Sequence, residues 1–146
     1  MIKSLFFLVF FSLSIANEKS EILDLLNQYN RAFADANYSE IVDFFNSPVS
    51  FNLQDKTIIA SNKLKLRLIF KKLRGGLPEY YSYSKWDNIE INLVDTNIAI
   101  AYADFSRFDL DDNVFFTGSA IYHLRLKNGE WRIFSLTPYS NINLLD

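Results

Sequence analysis

Three polar side chains interrupt apolar stretches and could therefore do chemistry. Tyr29 lies in an apolar helical stripe, and Arg107 and Tyr122 lie on the apolar faces of two alternating stretches. A buried phenol can donate a hydrogen bond to an oxyanion, and a guanidinium can bind an anionic group. Structural roles remain open for all three. The tyrosines could hydrogen-bond to each other or to the backbone, and Arg107 could form an internal salt bridge.

His123 is the single histidine, and it directly follows Tyr122 in a stretch with strand-like alternation. Successive side chains of a strand point to opposite faces. If Tyr122 faces the interior, His123 lies on the surface or on a dimer face. The sequence shows no partner that would make it a general base.

A triplet of two aspartates and one asparagine is the one candidate for a cation site. Asp109, Asp111 and Asn113 have the alternation of a calcium loop, but the sixth position is Val114 and the twelfth is Ala120. The calcium loop needs glycine at the sixth position and a bidentate glutamate at the twelfth. The triplet therefore predicts a solvated hairpin turn, and we expect neither a metal ion nor another cofactor.

Length and composition limit the class of protein. A chain of 146 residues that is 49% hydrophobic and 16% aromatic can bury one sizeable core, so we expect a single domain. The net charge of −2 gives no basic signature for nucleic-acid binding. The absence of cysteine excludes disulfides, thiolate metal sites, a cysteine nucleophile and a lipoprotein anchor.

The first 16 residues have the pattern of a removable secretory signal. Lys3 precedes an apolar run over residues 5–15, and Ser14 and Ala16 supply small residues at the two positions that signal peptidase reads. We expect cleavage before Asn17, an exported (periplasmic or secreted) domain over residues 17–146, and no stable membrane anchor afterwards. An uncleaved signal anchor is the alternative.

Helices are expected early in the chain and strands late. Helical spacing of apolar residues predicts helices over residues 20–36, 40–45 and 61–73, capped by Ser20, Ser39 and Ser61. Two short strands, 49–53 and 57–60, separate the second helix from the third. In the third helix we expect a buried stripe of Leu66, Ile69, Phe70 and Leu73 and an outer stripe of Lys63, Arg67, Lys71 and Arg74.

Four longer strands are predicted in the second half. They cover residues 83–94, 98–108 and 114–127 and a last stretch after the turn at Asn128-Gly129, a dipeptide typical of tight hairpins. One face of the second of these strands carries Ala99, Ala101, Ala103, Phe105 and Arg107. The order of elements predicts an α+β fold with an antiparallel meander at its end.

The chain resembles the nuclear-transport-factor-2-like superfamily, which includes ketosteroid isomerases and SnoaL-like cyclases. The resemblance rests on three segments in this order: NQYNRAFADANYSEIVDFF, VSFNLQDKTIIASNKLKLRLIF and AIYHLRLKNGEWRIFSL. It implies a cone-shaped roll in which about three N-terminal helices pack on a curved, mainly antiparallel sheet. It also implies a conical pocket, and a homodimer formed through the outer face of the sheet.

The resemblance to ketosteroid isomerases allows three positions to be compared. Their two oxyanion donors fall on Tyr29 and Tyr122, and their general base, an aspartate, falls on Leu53. Asp55 lies two residues further on, in a turn where we expect it to be solvated. Leucine cannot accept a proton, so the oxyanion donors would remain without a base. This pattern favours a protein that is not an isomerase.

We therefore expect an exported binding module for a small apolar molecule. Its pocket would be lined by Tyr29, Tyr122, Phe105, Arg107 and Phe134. One alternative is a lyase, isomerase or cyclase with a relocated base, for which Asp55 and Asp104 are candidates. The other is a structural or interaction domain with a filled core. A cavity smaller than roughly 300 Å³ would favour the filled core, and a carboxylate within hydrogen-bond reach of the cavity would favour the enzyme.

Overall fold

A computed structural model describes residues 2–139, with side chains from residue 14 onward. These residues form three α-helices, one 3-10 helix and six strands. Their bounds are α1 Ile2–Ala34, α2 Tyr38–Ile41, the 3-10 helix Val42–Phe44, β1 Phe45–Asn52, β2 Thr57–Ala60, α3 Lys63–Gly75, β3 Tyr81–Asp95, β4 Ile98–Asp109, β5 Val114–Lys127 and β6 Glu130–Tyr139. The α+β order predicted from the sequence is confirmed.

The six strands form one curved open sheet in the order β2-β1-β6-β5-β4-β3. The neighbours β3-β4, β4-β5, β5-β6 and β1-β2 are antiparallel, and only β1-β6 is parallel. The C-terminal meander therefore builds two thirds of the sheet, and the early hairpin extends it beyond β6. The helices cover the inner face.

The turn between β5 and β6 has the geometry that its sequence predicts. Asn128 and Gly129 both have positive φ, 55° and 77°, and Lys127 pairs with Glu130 across the turn. Positive φ at both central residues matches the twist of the flanking strands, and Asn-Gly adopts it at low cost. The register of this hairpin places Tyr122 opposite Leu136.

Helix α1 begins at Ile2 and not at Ser20, where a cap was expected. No glycine or proline occurs between residues 2 and 34, so no residue interrupts the helix upstream of Ser20. The predicted inner stripe is confirmed, because Ile22 and Leu26 are fully buried and Tyr29 is 7% exposed. Within the described residues, no helix is both long and apolar enough to span a lipid bilayer.

The two later helices are capped by asparagines and not by the expected serines. The side-chain oxygens of Asn37 and Asn62 each accept a hydrogen bond from the backbone N–H three residues later. Asn37 is the N-cap of α2 and lies two residues before Ser39. Asn62 is the N-cap of α3 and directly follows Ser61. Both residue types are good N-caps, so local sequence does not separate the candidates.

Helix α3 packs on the sheet through Leu66 and Phe70, which are fully buried. Leu73 is 46% exposed, although a buried position was expected. Arg74, expected on the outer stripe, instead donates hydrogen bonds to the carbonyl oxygens of Phe33 and Ala34 at 3.2 and 3.1 Å. It thereby adds donors to the carbonyl groups at the end of α1, and the Phe33 carbonyl also accepts from the backbone N–H of Ala36 at 3.2 Å.

Phe70 lies at the centre of an aromatic cluster between the helices and the sheet. Its ring centroid is 5.1 Å from that of Phe45, 5.7 Å from that of Phe51 and 6.0 Å from that of Tyr29. Edge-to-face and tilted pairs at such distances add to the stability gained by burial. The cluster fixes α1 and α3 against β1, beside the site described next.

Candidate functional site

A cavity of about 280 Å³ lies between α3 and the inner face of the sheet. Its walls are almost entirely apolar, and its polar groups lie together on β4, β5 and α1. The lining side chains from the helices and their flanks are Tyr29, Phe33, Ile69, Phe70, Leu73 and Leu77, and those from the sheet and its first turn are Phe51, Leu53, Ile58, Phe105, Arg107, Ala120, Tyr122, Leu136 and Pro138.

Tyr29 and Tyr122 meet inside this cavity. Their ring centroids are 6.0 Å apart, and their hydroxyl groups share a hydrogen bond. Burial raises the pKa of both phenols, so both stay protonated at neutral pH. The same contact raises the pKa of Tyr122 and lowers that of Tyr29. The two phenols therefore place a pair of protonated hydroxyl groups in the cavity.

Arg107 extends from β4 into the same end of the cavity. Burial lowers the pKa of its guanidinium, while Tyr81, Tyr29 and Tyr122 act in the opposite direction. The Nε atom is buried and has no hydrogen-bond partner among the described residues. The guanidinium also lies against two aromatic rings, 5.3 Å from the centroid of Phe105 and 4.8 Å from that of Phe116.

Gly118 makes room for those two rings. It pairs with Phe105 across β4 and β5, and Arg107 pairs with Phe116. A Cβ atom at position 118 would lie 2.8 Å from the Phe116 ring and 2.9 Å from the Phe105 ring. The missing side chain therefore lets both rings lie flat over the strand and support the guanidinium.

Trp86 marks a narrow annex of the cavity. The annex has a volume of about 50 Å³ and shares Tyr29, Phe105, Arg107 and Tyr122 with the main cavity. Trp86 reaches it from β3, with its ring 6.1 Å from that of Tyr122. Its indole Nε1 is buried and has no acceptor in the described part of the chain. Two N–H donors without an acceptor among the described residues therefore belong to side chains that line the annex.

No carboxylate lines the cavity or the annex in the part of the chain that the structure describes. Leu53 does line the main cavity together with both tyrosines, in agreement with the position that the resemblance gave to the base. The site can donate hydrogen bonds and attract an anion, but these side chains cannot abstract a proton from carbon at neutral pH.

Neither candidate for a relocated base reaches the cavity. Asp55 is exposed in the turn between β1 and β2, as expected. Asp104 lies on the outer face of the sheet, where its carboxylate accepts a hydrogen bond of 2.6 Å from Ser119. Asp104 was a poor candidate because it alternates with Ala103 and Phe105, which face inward.

Phe134 is not part of this cavity, and its assignment to the pocket is corrected here. It lies on the outer face, where it lines a separate depression and its ring is 6.0 Å from that of His123. The register of β5 and β6 shifts there, because His123 pairs with Ser135 and Leu124 pairs with Ile133. Phe134 is the extra residue of this β-bulge, so simple alternation assigned it to the wrong face.

The other site residues keep the faces that alternation predicted. Tyr122 faces inward and is 4% exposed, whereas His123 faces outward. Asp109 forms a local turn in which its carboxylate accepts hydrogen bonds from the backbone N–H groups of Asp111 and Asn113. Among the described residues, no cluster of three histidine or acidic side chains could hold a metal ion.

Several lining residues were not predicted from the sequence. Phe51, Ile58, Leu77 and Trp86 come from separate elements whose convergence depends on the sheet order. Alternation assigns the strand residues Phe51, Ile58 and Trp86 to a face, but only the parallel pairing of β1 with β6 places the first hairpin at that edge of the meander. The ring of Trp86 contacts those of Phe105 and Tyr122.

A curved sheet around helices, with a cavity at its inner face, defines an NTF2-like protein with a cystatin-like fold. A cystatin-like protein of unknown function from Nostoc punctiforme superposes with a TM-score of 0.71 at 18% identity, covering 89% of this chain and 97% of its own. An NTF2-like protein from Novosphingobium aromaticivorans gives a TM-score of 0.73 at 9% identity, covering 92% and 88%. These likenesses establish the fold.

The family follows from the sequence itself. Residues 19–141 match the family described as NTF2-like protein (DUF6841), and the chain belongs to that family. An NTF2-like protein of unknown function from Shewanella oneidensis is a further structural relative, with a TM-score of 0.66 and 15% identity over 83% of this chain and 98% of its own. No curated protein matches the sequence.

Proposed function

We propose that this protein is an exported binding domain that holds a small, largely apolar molecule without transforming it. The observation that carries the proposal is the apolar cavity of about 280 Å³ with two phenols and a guanidinium at one end. Ligand pockets are typically apolar, with a few polar groups that converge to orient the ligand. The apolar walls would hold the body of the ligand, and Tyr29 would donate to its oxygen.

Binding is favoured over catalysis because of the chemistry of the polar end. Both phenols are buried and have raised pKa values, so they act as donors and not as bases. Leu53 occupies the position where an isomerase would need a carboxylate. Such a site can polarise a carbonyl group, but the next step of an isomerase reaction requires a proton acceptor.

Binding is also favoured over a filled core, although the volume alone does not decide. About 280 Å³ lies slightly below the roughly 300 Å³ at which ligand pockets commonly begin. The polar groups favour a ligand site, because a core that only packs against itself usually pairs its buried donors. Four buried side-chain nitrogens lack a partner among the described residues, and two of them belong to Arg107 and Trp86, which both line the annex.

Titration with 2-octanone, a neutral apolar ketone, tests the proposal. We expect one binding site per chain by calorimetry, and a change in tryptophan fluorescence because Trp86 lines the annex. Tyr29→Phe and Tyr122→Phe should each weaken binding about 3- to 10-fold, the worth of one hydrogen bond. Tyr102→Phe is the matched control, since this phenol is 41% exposed and outside the cavity.

Two results would contradict these assignments. If 2-octanone does not bind and no small molecule co-purifies with the protein from its native compartment, the cavity is not a ligand site. If the ketone binds but both substitutions leave its affinity unchanged, the phenols do not hold the ligand.

We further propose that the mature chain starts at Asn17 and forms a homodimer through the outer face of the sheet. The signal-like sequence over residues 1–16 supports export. The outer face carries Tyr102, 41% exposed, and His123, whose Nδ1 is buried without a partner in the described chain. Native mass spectrometry of exported protein should find two copies that each lack 16 residues. A monomer would contradict the proposed homodimer, and a chain that starts at Met1 would contradict the proposed cleavage.

A further inference from the structure

The cavity carries an unbalanced positive charge. Among the described residues there are two ion pairs, Lys63 with Asp43 and Arg132 with Glu130, and neither includes Arg107. The ionisable groups that influence Arg107 are three tyrosines and a second arginine, Arg74. A partly buried guanidinium without a counter-ion is costly, and proteins usually pair or hydrate such a charge.

The hydrogen-bond inventory of the annex shows the same imbalance. Arg107 Nε and Trp86 Nε1 are buried donors without acceptors in the described chain. The side-chain acceptors that line the annex are neutral oxygens, those of Tyr29, Tyr122, Asn30 and Ser84, whereas a guanidinium and an indole cannot accept. The polar end of the cavity therefore lacks an acceptor that carries negative charge.

The rings of Phe105 and Phe116 hold the guanidinium in place at 5.3 and 4.8 Å. A guanidinium supported on aromatic rings still presents its N–H groups at its edge. A carboxylate has two acceptor oxygens, which can accept two parallel hydrogen bonds from the N–H groups of a guanidinium edge. It is also small enough for an annex of about 50 Å³.

We propose that the ligand is a small carboxylic acid in its ionised form, with its carboxylate on Arg107 and its apolar body in the main cavity. This inference rests on the proposed function, because it names the chemical class of the molecule bound in the same cavity. The apolar walls from Phe51, Ile58 and Ile69 hold the hydrocarbon part.

Octanoate and octanamide test the inference, because they share one hydrocarbon chain and differ in charge. Calorimetric titration of the wild-type protein should show octanoate binding about 10- to 100-fold tighter than octanamide, as expected for charge-assisted hydrogen bonds. In Arg107→Gln the two affinities should become nearly equal. Arg107→Lys keeps the charge without the planar edge and should retain part of the preference.

Arg125→Gln is the matched control. Arg125 lies on the neighbouring strand β5, and its guanidinium also stacks on a phenylalanine, 4.3 Å from the Phe134 ring, but on the outer face. It should keep the wild-type preference for octanoate. Circular dichroism and thermal unfolding of each variant verify that it is folded, and Arg107→Lys provides the measurement if Arg107→Gln does not fold.

Each outcome has a distinct meaning. Equal affinities of octanoate and octanamide in the wild-type protein would overturn the carboxylate inference and leave the proposed binding function intact. A preference that persists in Arg107→Gln would overturn the role of Arg107. If octanoate, octanamide and 2-octanone all fail to bind, the proposed function fails and the inference fails with it.

Discussion

Phe70→Ala should lower the free energy of unfolding by about 3–5 kcal/mol, the usual cost of removing a fully buried phenylalanine ring. Phe70 is 0% exposed and its ring contacts those of Phe45, Phe51 and Tyr29. Phe70 also lines the cavity, so its truncation would enlarge a space that is already empty. Urea unfolding measures the loss, and the unfolding temperature should fall by about 10–20 °C.

Leu68→Ala is the control for this experiment. Leu68 lies on the same helix, two residues earlier, but it is 57% exposed. Its truncation should change the free energy of unfolding by no more than about 0.5 kcal/mol. If Phe70→Ala costs less than about 1.5 kcal/mol, or if the two variants cost the same, Phe70 does not join the helices to the sheet as described.

Leu53→Trp should abolish binding of 2-octanone and octanoate, with a loss of at least about 100-fold in affinity. Leu53 is half-buried at the edge of the cavity, so an indole can enter the empty space without displacing a packed core residue. Filling the space removes the contacts of the apolar part of the ligand. Because the change adds volume where a cavity exists, the free energy of unfolding should change by less than about 1.5 kcal/mol.

Leu64→Trp serves as the control for the added ring. Leu64 is 68% exposed on α3 and does not line the cavity, so this variant should bind both probes as the wild type does. Unchanged affinity in Leu53→Trp would mean that the ligand site lies elsewhere. A large loss in Leu64→Trp as well would mean that the effect is not specific to the cavity.

The sequence was most informative where one local rule acts alone. The Asn128-Gly129 turn, the inner stripe of α1 and the inward faces of β4 and β5 follow from turn chemistry and periodicity. These rules place Tyr29, Phe105, Arg107 and Tyr122 on the interior, and all four line one cavity. The absence of a base at Leu53 was also visible, through the resemblance to ketosteroid isomerases.

The failures occurred where distant parts of the chain decide the outcome. The β-bulge that turns Phe134 outward depends on the register between β5 and β6, which hydrophobic alternation does not encode. Arg74 was expected in water. Its hydrogen bond to the carbonyl of Phe33 joins residues 41 positions apart, and such a contact has no local signal in the sequence. The lack of a partner for Arg107 Nε among the described residues likewise depends on neighbours from β3, β5 and α1, which are distant in the sequence.

We expect Gly118 to mark the proposed site of Arg107 in related sequences. Because any side chain at that position would collide with the rings of Phe105 and Phe116, positions 105, 116 and 118 are coupled and should vary as a set. A related chain with glycine between two such rings is predicted to hold a cation at the position of Arg107. A chain with a larger residue there is predicted to bind neutral molecules, whatever its overall similarity.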